Sequence, residues 1–250
     1  MEPLLPYVWA GGLLFARIGS VLMLAPGWGE QSVPARFRLT AALMATLALA
    51  PGLIGTLPAQ PEGLGAALFL VIGEVLIGLM LGAAARMFMS AANVAGQVTA
   101  MHTGLAAAMQ FDPMQQAQGN LMSAFFSLIA VVLVLSAGVH RWMLQGAVDS
   151  YTLFPPGVYP DMADVAEYGT RAFVESFRLG LQIAAPAIAF GLIFNLALGL
   201  AARLIPQIQI FFIALPSSIM LGLVVVMIGM GSGFLAWLNG FDSFLQNGGG

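Results

Sequence analysis

Residues Asn93 to Asn120 read NVAGQVTAMHTGLAAAMQFDPMQQAQGN, and how this stretch is read decides the fold. It lies between two long apolar segments and carries no formal charge but Asp112. Yet it holds Asn93, Gln97, His102, Gln110, Gln115, Gln116, Gln118 and Asn120, interleaved with Met101, Met109, Phe111 and Met114. Such a composition suits neither lipid nor free solvent. Non-helical backbone at membrane depth is tolerated only where protein buries it or a watery cavity receives it. Gly104, Pro113 and Gly119 give the chain three places to leave a helix. Ala106 to Ala108 allow close approach, and methionine is flexible enough to seal an irregular gap. This reading is a loop folded into the middle of a membrane assembly; the alternative left open is a surface turn between two spanning helices.

The composition around it sets the class. Of 250 residues, 60% are hydrophobic and 8% charged, against roughly 25% charged in a soluble domain. The expectation is an all-α polytopic membrane protein of about six long helices. All eight basic residues are arginine, and eleven acids bring the net charge to −3, so no basic surface for nucleic acid exists. With no cysteine, disulfides, thiolate nucleophiles and Cys-based metal sites are excluded. The start, MEPLLPYVWAGG, lacks a basic leading region and makes a poor secretory signal, so the first apolar segment is expected to be retained.

A spanning helix needs about 20 mostly apolar residues, which makes charge-free runs the useful ruler. Leu4 to Leu24 is the first segment, interrupted by Arg17; Leu39 to Leu57 is the second. The third starts near Gly63 and continues past Arg86, with Glu74, Gly78 and Gly82 on nearly one helical face. Leu121 to Val139 is the fourth, ended by His140 and Arg141. After a broken loop, Thr152 to Gly169, the fifth carries Asp164, Glu167, Arg171, Glu175 and Arg178 on one face as an alternating-sign ladder. It then runs apolar from Leu179 to Ala202, with Pro186 as the expected kink. Leu204 to Phe241 holds the sixth, and the tail LQNGGG reads as disordered. Arginine placement puts both termini outside.

The inventory excludes the common enzyme classes. His102 and His140 share no metal-binding spacing, and neither a GxSxG elbow nor a Walker loop occurs. Arg17, Glu74 and Asn195 are intramembrane polar residues, hence candidate functional positions; the plainer reading is interhelical pairing that fixes packing. A secondary transporter or other solute permease is the alternative from the residues alone. Pro51, Pro186 and Pro216 could break its helices, but they do not pair into matched halves.

The stretch Asn195 to Pro216, NLALGLAARLIPQIQIFFIALP, resembles the most distinctive motif of the FliR family of type III secretion export-gate subunits, and favours its flagellar branch. Pro34-Ala-Arg36-Phe-Arg38 is similar to that family's early basic turn. Glu74 with Gly78 and Gly82 is similar to its third helix, and Ala95-Gly96-Gln97 through Gly104 to Asp112-Pro113 to its central loop. The resemblance covers nearly the whole chain. It implies one domain over residues 1–250, with a FliP-like part over about 1–145 and a FliQ-like helical hairpin over about 160–245.

The same resemblance implies a bacterial inner-membrane subunit at the base of the flagellar basal body. FliP-like and FliQ-like neighbours complete a helical ring, an FlhB-like protein wraps the cytoplasmic mouth, and unfolded proteins are the cargo. No enzyme activity, cofactor or metal is implied. Residues 104–119 would plug the channel, with Gly104, Met109, Phe111, Asp112, Pro113 and Met114 forming plug or gasket and Phe111 the stopper. Arg203, Pro206 and Gln207 would form the turn at the cytoplasmic entrance. Arg36, Arg38, Glu74, Gly78, Gly82, Asn195 and Gly199 would pack against other subunits. An apolar, dewetted constriction of this kind stops ions.

Overall fold

The computed structural model describes residues 4–29, 33–109, 121–158, 161–204 and 210–246. Among the described residues eight α-helices follow one another: α1 (Leu5–Leu24), α2 (Ala35–Leu53), α3 (Leu64–His102), α4 (Leu105–Met109), α5 (Leu121–Ser136), α6 (Val139–Leu153), α7 (Met162–Leu204) and α8 (Ile210–Gln246). Among the described residues there is no strand. Five of these helices are long and apolar enough to cross a membrane, and α5 with α6 makes a sixth if that pair counts as one broken span. The chain is an all-α polytopic membrane protein.

The helical segments differ from the hydropathy ruler in five places. α2 starts at Ala35 and not at Leu39, so Arg36 and Arg38, expected in a turn, lie in its first turn after Pro34. α3 does not stop before Asn93: Ala91, Ala92, Ala95, Thr99 and Ala100 stay buried on one face, so the helix runs to His102. It ends where Gly104 takes a φ of +78°, a left-handed conformation that glycine adopts without steric penalty. α6 falls where the ruler marks no segment. Gly138, at φ +75°, ends the preceding helix, and Val139, Met143, Ala147, Ser150 and Tyr151 then form a buried stripe. α7 begins at Met162, inside the expected loop, because the Asp161 carboxylate accepts the Ala163 backbone N–H at 3.0 Å and caps the first turn. Leu245 and Gln246, expected in the tail, belong to α8.

Contacts gather the chain into two compact units. The first comprises residues 1–88, 134–174 and 242–250. In it α1 packs on α2 and touches α6, burying Ala10, Leu14, Arg17, Ile18 and Val21 along one stripe. The Trp9 indole N–H donates to the Pro58 carbonyl at 3.2 Å, tying the start of α1 to the turn after α2. Phe244 lies between Phe88 and Tyr168, ring centroids 4.8 and 5.5 Å away. α1 and α3 touch backbone to backbone. A Cβ at Gly78 would sit 2.7 Å from that of Ser20 and against the Arg17 carbonyl, and one at Gly82 would lie 2.8 Å from the Cβ of Leu24.

The second unit comprises residues 89–133 and 175–241. Its aromatic core joins Phe126 of α5 to Phe234, Trp237 and Phe241 of α8, with successive centroids 5.3, 6.3 and 5.8 Å apart. Small residues again set the helix spacing: Gly96 of α3 against the backbone of Met122 and Ser123, Gly180 of α7 against Ala91, and Gly233 of α8 against Ile183. Pro186 stays inside α7, its ring filling the space that a side chain at Gly229 would need. In lipid, where apolar surface gains nothing by leaving water, such close packing is a principal source of helix association.

A Gly78→Val variant is expected to prise α1 from α3 and lower stability by about 1–3 kcal/mol, the usual penalty for overpacking. Gly11→Ala on α1, where an added Cβ meets nothing within 4 Å, is expected to be neutral or mildly stabilising. Thermal unfolding of the detergent-solubilised protein checks both.

Candidate functional site

Arg17 is the only charged residue inside the apolar run of α1, and its side chain is fully buried. A guanidinium at membrane depth must find partners for five N–H donors. Here it does so completely. Nε donates to Glu74 Oε2 at 2.7 Å, and Nη2 to Glu74 Oε1 at 2.9 Å, a bidentate pair of the strong, planar kind. Nη2 also reaches the Phe154 carbonyl at 3.0 Å. Nη1 donates to the Ser150 carbonyl and hydroxyl at 3.1 and 3.2 Å, while the Ser150 O–H donates in turn to the Ala147 carbonyl at 2.7 Å. The guanidinium lies over the Tyr151 ring, 4.0 Å from its centroid.

This cluster binds α1, α3 and the C-terminal end of α6. Glu74 is 2% exposed, so both charges are removed from solvent and depend on each other. Beside it a cavity of about 250 Å³ is lined by Val21, Leu81, Met143, Asp149, Tyr168 and Gln246, among others. The arrangement locks the three helices together. Among the described residues no three His, Asp or Glu side chains gather as metal ligands.

The other expected site residues fall into three groups. Gly78 and Gly82 share the Glu74 face, and that face is filled by α1 of the same chain, which replaces the expected contact with another subunit. The physical reason is the ion pair, whose length draws α1 and α3 together one turn from Gly78 and two from Gly82. Arg36 is exposed, its guanidinium 5.5 Å from the Phe37 ring centroid. Arg38 is half-buried, and its Nε meets no acceptor among the described residues. Asn195, Gly199 and Arg203 are exposed along the last turns of α7, where an added Cβ at Gly199 meets nothing within 4 Å. Leu192, Leu196 and Leu200 lie exposed beside them.

In the expected plug, Gly104 forms the left-handed exit from α3 and Met109 is the last residue of α4. Phe111, Asp112, Pro113 and Met114 lie outside the described residues, as do Pro206 and Gln207 of the expected entrance turn. On α7, the charge ladder pairs Arg171 with Glu167, and Arg178 with Glu175 through a second bond of 2.8 Å from Nε to Oε2. Exposed pairs of this kind contribute little to stability. They mark a wetted face.

Sequence comparison gives this geometry a family context. The family model described as bacterial export proteins, family 1, matches residues 8–244. The flagellar biosynthetic protein FliR of Caulobacter vibrioides is 38% identical over 242 residues, spanning 96% of this chain and 95% of its own. Its namesake in Aquifex aeolicus is 31% identical over 234 residues, 94% of this chain and 90% of its own. That of Escherichia coli is 32% identical over 209 residues, 83% and 78% respectively.

Arg17→Ala and Glu74→Ala are each expected to destabilise the protein by about 3–5 kcal/mol, because each strands a buried charge. Arg17→Ala combined with Glu74→Ala should lose less than the sum of the two single changes. A set of thermal melts in one detergent measures this coupling.

Proposed function

The chain belongs to the bacterial export proteins, family 1, and from that premise we propose how it works as a channel subunit. It is a membrane subunit of the flagellar export apparatus. In the bacterial inner membrane it joins FliP-like and FliQ-like subunits in a helical ring around a protein-conducting channel, with an FlhB-like partner at the cytoplasmic mouth. Residues 104–119 plug that channel. It carries out no chemistry of its own, and the driving force comes from its partners.

The observation that carries this reading is the exposed face of α7. An asparagine amide facing hydrocarbon would leave its donors and acceptor unpaired, at a penalty of kilocalories. Asn195 and Gly199, four residues apart on an exposed apolar face, instead suit close approach of another polar-bearing helix. The wider surface agrees. Only 17% of the best apolar window of α3 and 22% of that of α7 is buried within the chain, so most of each helix awaits a neighbour. The plug reading is supported by the end of α3 at Gly104 and by the polar, Met-rich composition beyond it. A seal of flexible methionines blocks ions yet deforms around an unfolded chain.

Affinity purification of this chain is expected to bring down two smaller multipass proteins in fixed ratio; isolation as a solute-binding homo-oligomer would refute the assembly. Deleting residues 104–119 should make the membrane permeable to ions while the complex still assembles. Permeability equal to that of the parent, in an assembled complex, would remove the plug.

A further inference from the structure

We propose that the C-terminal half of α3 carries a contact surface for cargo, an uncharged amide track that takes and releases the main chain of an unfolded polypeptide. Resting on the channel reading above, this assignment names the surface that cargo touches. Along one face of α3 the chemistry of the outward residues changes once. Leu68, Ile72 and Leu79 stand exposed in the first half. At the same helical spacing Arg86, Ser90, Asn93, Gln97 and Met101 follow, all exposed except the half-buried Asn93.

Bulk water, another helix and lipid each suit the second half poorly, judged by how this chain marks those surroundings elsewhere. Where it is wetted it carries charge: α7 sets five charged residues between Asp164 and Arg178. After Arg86, α3 has no Asp, Glu, Lys or Arg. Where helices touch, the chain places glycine, as Gly96 does against Met122 and Ser123 and Gly233 against Ile183. Gly96 lies on the buried side of α3; the stripe from Ser90 to Met101 holds no glycine, and its Met101 is 72% exposed. Against lipid, the two amides would lose their hydrogen-bonding partners.

The amides are held in place. Gln97 Nε2 donates to Asn93 Oδ1 at 2.7 Å, one turn back, and Asn93 Nδ2 donates to Ser127 Oγ of α5 at 3.4 Å. The Gln97 carbonyl oxygen accepts no bond among the described residues. It matches the N–H of a passing peptide group, while the amide's other N–H matches a peptide carbonyl. Bonds of this kind replace bonds to water and are individually weak, so a chain is held briefly and let go, the condition for conduction. The lack of charge serves the same end, because a charged wall would retain cargo of one sign and repel the other. Val94 and Met101 beside the amides are exposed, and methionine adapts to apolar side chains of any shape.

The test uses the complete export apparatus and a cargo fused to a domain that does not unfold, so that export arrests part-way. A photoreactive benzoylphenylalanine replaces Gln97 in one strain and Ile72 in another. Position 97 is expected to capture the arrested cargo, and position 72 is not. Cargo retained by the complex but not captured at position 97, capture there of a neighbouring subunit or lipid instead, or equal capture at position 72 would each overturn the track and leave the channel reading standing. Cargo that is never retained by a complex containing this chain overturns both.

Gln97→Glu and Gln97→Lys give a second readout that a packing defect would not move. Gln97→Glu should slow a lysine-rich cargo several-fold relative to a neutral one, and Gln97→Lys should do the same to an acidic cargo. Rates that change alike for all three cargoes, or not at all, count against the track. Should the bulky probe prevent assembly, these two variants decide.

Discussion

One buried ion pair governs the first unit. Arg17 cannot stay at membrane depth without partners for five donors, and the five bonds it makes determine which helices meet and how closely. A bidentate bridge between α1 and α3 is short, so both backbones must come near. Gly78 and Gly82, one and two turns beyond Glu74, remove the side chains that would hold them apart. Ser150 and the Phe154 carbonyl then draw in the end of α6, and Tyr151 closes the cationic face. Charge, small residues and helix order are thus one constraint. Pairs of this sort add less to net stability than their number of bonds implies, because desolvation opposes them. Their strength lies in specifying a single arrangement.

Among its described residues the second unit packs without buried charge. Gly96, Gly180, Gly191 and Gly233 bring helix backbones together, and a run of aromatic rings from Phe126 to Phe241 fills the space left. Two kinds of membrane packing therefore coexist in one chain. The polar kind gathers at the chain's beginning and at α6, whereas the glycine kind surrounds the exit of α3, where backbone leaves the helix.

Much of the architecture was legible in the residues. Hydropathy located five of the long helices, since a run of about 20 apolar residues has few other uses. The exit from α3 was visible as Gly104. The helix α6 was not: Val139 to Leu153 mixes His140, Arg141, Gln145 and Asp149 with its apolar stripe, and a ruler of charge-free length passes over it. The partnership of Arg17 with Glu74 was half visible. Both stood out as polar residues in apolar helices, but 57 residues separate them, and no periodicity joins residues on different helices. Ser150, Tyr151 and Phe154 gave no signal, because a backbone carbonyl is the same at every position. Nor could glycine content reveal that Gly191 meets His102, since each contact depends on which helix lies opposite.

The lengths of the helices have a consequence for how the protein reaches the membrane. α3, α7 and α8 contain 39, 43 and 37 residues, and at 1.5 Å per residue they extend about 58, 64 and 56 Å. The hydrocarbon layer is about 30 Å thick. On α7 the charge ladder assigns the surplus to water, and on α3 the exposed Arg86 and Gln97 mark its polar half. A newly inserted single copy is thus mismatched with any bilayer, and tilting or local thickening can relieve only part of the excess. Its depth is then set by the level at which its polar side chains meet the interface, and not by helix length.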